Sequence, residues 1–426
     1  MSEADIQKVL DGINEETLVD LVSDLVAIPT LPGAETAGQE FVATRLAAGG
    51  LRVDTWPIAV PELARNRWYS AEAERDVAMG VTGAMGGTHG PALLLNGHID
   101  VVPTGAAEDW TTPPFVPAVR GGRVYGRGTC DMKGGLAAAI HALEAIRAAD
   151  VPLAGTVTLA SVVGEEDGGC GTLALLERGV RADGCIIPEP TELSIVPAVA
   201  GALSWRLHVR GLSAHGCLRE EGISALELFA PLHGAVLALE RRRNARPAGE
   251  LFDWLDRPFA ICGGRIAGGD WPSSEMDWLQ WEGRYGVAPG EDLDAARREF
   301  EEAVAAAATT HPWMVQHPPR VEWWGGQFYP GVTDHDAAIV GHVRGAARAV
   351  LGRAPVTRGM PYGCDLGLTT NAGGIPTVVF GPGDVRDAHR PNESVPISDL
   401  VAVCRAVALT TLRFCGILDD QAHAPA

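Results

Sequence analysis

The chain is 426 residues long, 46% apolar and 21% charged, with a net charge of −20. That length predicts two domains, each large enough for its own core. The acidic balance argues against nucleic acid, whose phosphates it would repel, and no apolar run reaches the ~18 residues that a membrane span needs.

In chain order, ETLVDLVSDLVAI (16–28) carries apolar positions at helical spacing and stops at Pro29. A second helix over 38–48 ends at Gly49-Gly50, and a strand follows at 51–56. Strands at 92–96, 155–163 and 184–187 then alternate with helices at 135–148 and 171–178. That rhythm predicts an α/β fold, an open, mostly parallel sheet with helices on both faces. From Gly201 the rhythm changes. LSWRLHVRG alternates like a half-exposed strand, 222–243 is helical, strands fall near 261–267 and 276–284, and a helix at 291–308 precedes a strand at 319–324. The order βαββαβ predicts a small ferredoxin-like α+β unit. After residue 329 the first rhythm returns, with a helix at 335–351, a strand at 375–380 and a helix from Ser398. The expected organisation is one domain from 1–199 and 329–426, interrupted by an insert at 200–328.

The N-terminal MSEADIQKVL lacks a basic-then-apolar leader, so a cytoplasmic location is expected. Eight cysteines without a CxxC pair read as reduced, mostly buried thiols, and give a cysteine zinc site no support.

Polar residues gather at the strand exits, where open α/β sheets bind ligands. LLLNGHIDVVP (93–103) ends a buried strand in His98 and Asp100. RVYGRGTCDMKG (123–134) carries Asp131 just before a helix, Glu165-Glu166 and Glu189 follow two further strands, and GPGDVRDAHRPNE (381–393) holds His389. Singly, each is more readily a cap, surface or core residue; together they form a set. Two imidazoles and three carboxylates suit a pair of divalent ions, zinc first, manganese or cobalt as alternatives, with one carboxylate bridging. A carboxylate beside the metals could take a proton from water. Glu165-Glu166 offers one residue for each task, since neighbours on a strand point opposite ways.

With these residues in view, the chain resembles the family of co-catalytic zinc amidohydrolases that includes acetylornithine deacetylase, succinyl-diaminopimelate desuccinylase and glutamate carboxypeptidase. The resemblance rests on GHIDVVP (97–103), Trp110 with PPF (113–115), GRGTCDMKGG (126–135), GEEDGG (164–169), PEPTEL (188–193), RGLSAHG (210–216), GRYGVAPGED (283–292) and GPGDVRDAHRPNE. It implies a zinc-exopeptidase-like fold whose insert is a lid and dimerisation domain, and hence a homodimer. It implies that His98, Asp131 and Glu189 hold one metal, and that Asp131, Glu166 and His389 hold the other. Glu165 would be the general base, and Asp100 would orient His98 through its other ring nitrogen. His215 would reach the partner subunit's site and steady the oxyanion. Arg284 would grip a substrate carboxylate with its two-pronged guanidinium.

The chain departs from the family at Glu275-Met276 and PYGCDLGL (361–368), which bear on specificity, and at Cys130, where the substitution should be tolerated. Lys133 is given no catalytic part. The insert's tryptophans, Trp205, Trp254, Trp271, Trp278, Trp281 and Trp313, read as core and interface anchors. The expected function is metal-dependent removal of an acyl group from an N-acyl amino acid or similar small carboxylate. The alternatives are a dipeptidase or carboxypeptidase, or a hydrolase of an unusual C–N bond (carbamoyl or aromatic amine). A non-catalytic binding protein should have lost ligands or the base, and this sequence retains both.

Overall fold

The computed structural model describes residues 3–418. The chain divides into two compact units. The first runs to Ala198 and takes up Val332–Arg358 and the chain from Cys364 onward; the second is Val199–Gly331 with Gly359–Gly363. The span 329–426 read from the sequence runs past the described residues.

The first unit is built on a six-stranded sheet in the order Arg52–Pro57, Met79–Gly86, Thr156–Val162, Leu93–His98, Gly184–Ile187, Thr377–Val379. The last four run parallel, and the first two add an antiparallel edge. Leu93–His98 is buried along its whole length, which is why that stretch is a continuous apolar run rather than an alternating one. Helix Thr36–Ala48 packs on Met79–Gly86, and helix Gly134–Ala148 packs against Ile397–Cys415 and Glu15–Ala27.

Three features were not expected from the sequence: helix Glu3–Asp11, strand Met79–Gly86, and a small antiparallel sheet of Ala118–Arg120, Arg123–Tyr125 and Ser394–Pro396. Glycines in MGVTGAMG weaken the strand signal. Gly80 is needed there because an added Cβ would lie 2.3 Å from the Trp56 ring. The small sheet pairs Ser394 with Tyr125, joining the segment before Asp131 to the one after His389.

The second unit is an antiparallel sheet in the order Ile261–Gly268, Trp278–Val287, Gly201–Arg210, Arg320–Phe328. With helices Ala225–Asn244 and Leu293–Ala308 in chain order, this is the ferredoxin-like arrangement. Alternate residues of Gly201–Arg210 (Leu203, Trp205, Leu207, Val209) meet Leu228, Leu232, Val236, Phe300 and Val304 from the helices in one core. Of the insert's tryptophans, Trp205 and Trp281 pack edge to face at 4.6 Å in that core, while Trp254, Trp271 and Trp278 are exposed. All eight cysteines are free; Cys217 and Cys262 are exposed and the others buried.

Candidate metal centre

Five chain exits deliver the polar residues to one place in the first unit. His98 ends strand Leu93–His98; Asp131 precedes helix Gly134–Ala148; Glu165 and Glu166 follow Thr156–Val162; Glu189 follows Gly184–Ile187; His389 lies beyond Thr377–Val379. Local packing permits this convergence. Gly135 lies so close to Pro188 that an added Cβ would be 1.9 Å from the Pro188 carbonyl oxygen, so only glycine lets the Glu189 loop approach the helix after Asp131. His389 itself adopts a φ of 60°, an uncommon conformation for a residue with a side chain.

Asp131 lies at the centre. Its Oδ1 is 3.1 Å from His98 Nε2 and its Oδ2 is 3.2 Å from His389 Nε2. His98 Nε2 is also 3.3 Å from Glu189 Oε1 and 4.0 Å from Glu165 Oε2, and His389 Nε2 is 3.1 Å from Glu166 Oε2. Potential ligand atoms of His98, Glu165 and Glu189, and of His98, Asp131 and Glu166, lie within 4.8 Å of one another. All six sequence-derived residues are therefore together.

The electrostatics follow from crowding carboxylates out of water. Burial, with the charge of Glu189 behind it, raises the Glu165 pKa well above the usual range despite the opposing pull of His98. Burial and the Asp131 charge raise Glu166, and push Glu189 up to about 8. Burial would raise Asp131 as well, but hydrogen bonds from His389 and His98 hold it below its ordinary value. Burial opposes the charged form of His98, yet the Glu189 charge and the contact with Asp131 raise it well above its ordinary value. The charge of Glu166 drives His389 up to about 11 against its own burial. Glu165 Oε1 and Glu166 Oε1 are buried and have no hydrogen-bond partner among the described residues. Orphaned buried oxygens are costly. An excess of carboxylates over two imidazoles, with two such oxygens, is a donor set that divalent cations satisfy.

Asp100 differs from expectation. Its carboxylate accepts hydrogen bonds from the backbone amides of Glu165 at 3.3 Å and Glu166 at 3.0 Å. The His98 ring meets the main-chain carbonyl of Asp100 instead, with Nδ1 at 2.9 Å, while the nearer carboxylate oxygen is 3.8 Å away. The strand ends at His98, and the Asp100 carboxylate is taken up by the glutamate loop.

Sequence reasoning passed over two buried polar groups behind the centre. Glu393 accepts from the Cys130 and Asp131 amides at 2.9 and 3.1 Å and pairs with Arg127 at 2.6 Å. Asp365, in the 361–368 stretch, accepts from Thr172 Oγ1 at 2.5 Å and from Asn96 Nδ2 at 3.3 Å, on the strand that bears His98. An asparagine inside LLLNG was the available signal for the second group.

Lys133 is fully buried and donates to the Leu25 and Ile28 carbonyls at 2.9 and 2.8 Å, closing the end of helix Glu15–Ala27; burial pushes its pKa down to about 7. His141 accepts from the Asn14 amide at 3.2 Å, and His423 lies outside the described residues. In the second unit, His215 is exposed and its Nδ1 accepts from the Cys217 amide at 3.2 Å. Arg284 lies on strand Trp278–Val287 and donates to the Pro361 carbonyl at 2.7 Å. No carboxylate forms an ion pair with it among the described residues, and burial lowers its pKa.

Residues 94–413 match the model of peptidase family M20/M25/M40. The N-formyl-4-amino-5-aminomethyl-2-methylpyrimidine deformylase of Halalkalibacterium halodurans is 31% identical over 429 residues, covering 94% of this chain and 95% of that protein. The succinyl-diaminopimelate desuccinylase of Dechloromonas aromatica is 39% identical over 164 residues, 36% of this chain and 44% of that protein. Human carnosine dipeptidase 1 shares the fold, with a TM-score of 0.77 at 17% identity over 96% of this chain and 98% of that one.

Proposed function

Because this chain belongs to peptidase family M20/M25/M40 and is a metal-binding hydrolase of amide C–N bonds, we propose that it removes a small acyl group from an N-acyl amine bearing a carboxylate. The observation that carries this reading is Asp131, whose two oxygens face two different histidines at 3.1 and 3.2 Å. That geometry suits a carboxylate shared between two ions. His98 and Glu189 would complete one site, Glu166 and His389 the other.

Two divalent ions, zinc in our reading, would polarise the scissile carbonyl and acidify a nearby water when bound. Glu165 does the proton work: its carboxylate takes a proton from the attacking water and returns it to the departing nitrogen. Its buried, unpartnered Oε1 supports that part. Asp100 holds the Glu165-Glu166 backbone during both transfers. The Arg284 guanidinium, with no carboxylate partner among the described residues, donates to the substrate carboxylate. We further propose a cytoplasmic homodimer formed through the second unit, with His215 donating to the oxyanion in the partner's site.

A second reading follows from the deformylase likeness, which spans nearly the whole chain: a neutral N-formyl aminomethylpyrimidine as substrate. Arg284 favours the carboxylate. The test is release of free amine by zinc- or manganese-loaded protein from N-formyl, N-acetyl and N-succinyl amino acids, the N-formyl aminomethylpyrimidine, carbamoyl amines and dipeptides. Turnover of acyl amino acids supports the first reading. Turnover of the pyrimidine alone replaces it with the second, and cleavage of dipeptides alone replaces both with a peptidase.

A further inference from the structure

We infer that the buried Arg127–Glu393 pair is the positioning element of the metal site made by Asp131, Glu166 and His389, an inference that rests on reading those three as ligands. Arg127 is 1% exposed and Glu393 is fully buried. Glu393 reaches Asp131 from one side: its Oε1 accepts from the Asp131 amide at 3.1 Å and from the neighbouring Cys130 amide at 2.9 Å. Its Oε2 takes Arg127 Nη1 at 2.6 Å.

Arg127 gathers the segments around His389. The same Nη1 lies 3.5 Å from the carbonyl of Arg390, next to His389, and Nη2 donates to the Pro103 carbonyl at 3.1 Å. The guanidinium also stands 5.3 Å from the Trp110 ring. The His389 loop needs such support, because His389 and Asn392 both hold φ near 60°, a conformation that surrounding contacts must maintain. Asn392 adds a clamp, accepting from the Thr111 amide at 2.8 Å and donating to the Asp109 carbonyl at 3.0 Å. His98 ends one strand of the parallel sheet and Glu189 follows another. One buried pair therefore sets both the shared Asp131 and the loop of His389, so its loss should weigh more heavily on the site that takes His389.

The double variant Arg127→Met with Glu393→Gln removes both charges, so that no uncompensated charge is left buried. Metal-free wild type and variant are titrated calorimetrically with zinc, and the cobalt-loaded forms are compared by their visible absorption. The wild type should take two equivalents. The variant should bind the second equivalent about 10- to 100-fold more weakly, the range for lost outer partners of a ligand, and the first with a smaller loss, with a changed cobalt spectrum. A folded variant that binds both equivalents as the wild type does, or loses both equally, overturns the inference. Should the double variant not fold, Arg127→Lys, which keeps the charge beside Glu393 and loses the fork to the Pro103 and Arg390 carbonyls, must weaken the second equivalent more than the first, and unchanged binding of both equivalents overturns the inference. A wild type that binds no metal refutes the ligand reading itself, a separate outcome.

Discussion

The carboxylate of Asp100 holds the main chain of Glu165 and Glu166, at 3.3 and 3.0 Å, while its own main-chain carbonyl meets the ring of His98 at 2.9 Å. One residue thus sets a metal-capable imidazole with its backbone and the proposed base with its side chain. Substitution separates the two tasks. Asp100→Ala retains the carbonyl that meets His98 and loses both acceptors for the glutamate loop. It should lower kcat by about 10- to 100-fold while the first metal equivalent still binds. Asp100→Asn, which keeps one acceptor oxygen, should fall between. Steady-state kinetics with metal analysis on the same samples checks this. Loss of the first equivalent in Asp100→Ala would show that the side chain acts through His98 after all.

Glu165→Gln preserves shape and removes the proton acceptor. General-base loss costs about 10²- to 10⁴-fold, so kcat should fall by that much with KM, fold and metal content little changed. Turnover within a factor of a few of wild type would transfer the proton work elsewhere.

Arg284→Met removes a guanidinium that donates to the Pro361 carbonyl and has no carboxylate partner among the described residues. A charge-assisted hydrogen bond is worth about 1.5–3 kcal/mol, so kcat/KM for carboxylate substrates should drop about 10- to 150-fold. Neutral N-formyl substrates should be affected far less, and Arg284→Lys should recover only part of the loss because it lacks the fork. Equal losses on charged and neutral substrates would make Arg284 a structural residue.

Much of this was legible in the chain. The strand-exit rule located His98, Glu165, Glu166, Glu189 and His389 because each ends or follows a recognisable apolar strand, while Asp131 was placed by the helix it precedes. Strand Met79–Gly86 was hidden because Gly80, which makes room for Trp56, strips it of β-forming side chains. The resemblance tied Asp100 to the other ring nitrogen of His98, and the main-chain carbonyl of Asp100 meets it, while the bonds of its carboxylate to the Glu165 and Glu166 amides were not read. Arg127 with Glu393, and Asn96 with Asp365, were missed for another reason. Their partners are 266 and 269 residues apart in sequence, so a local pattern can flag a buried Asn96 but cannot name what either pair joins.

The support beneath the site titrates at low pH. Glu144, on the helix that follows Asp131, is bonded by Arg45 at 2.6 and 3.0 Å and by His141 at 3.1 Å. Burial works against its charge, but the His141 and Arg45 hydrogen bonds outweigh it and lower its pKa below the ordinary 4.5. A depressed carboxyl contributes stability that is present above its unfolded pKa and lost as pH falls through the folded one. The melting temperature of the wild type should therefore decline below pH ~4.5 more steeply than that of Glu144→Gln. Parallel curves for the two proteins would remove Glu144 from the account.

We propose that two divalent ions, held through Asp131, drive amide hydrolysis by this chain. The most direct measurement dialyses the protein against chelator, restores zinc, manganese or cobalt stepwise, and follows bound metal and amine release from an N-acyl amino acid together. Amine release should vanish in the metal-free protein and return to completion only as two equivalents bind. Full turnover without metal, or silence on every N-acyl substrate with both equivalents bound, would contradict it.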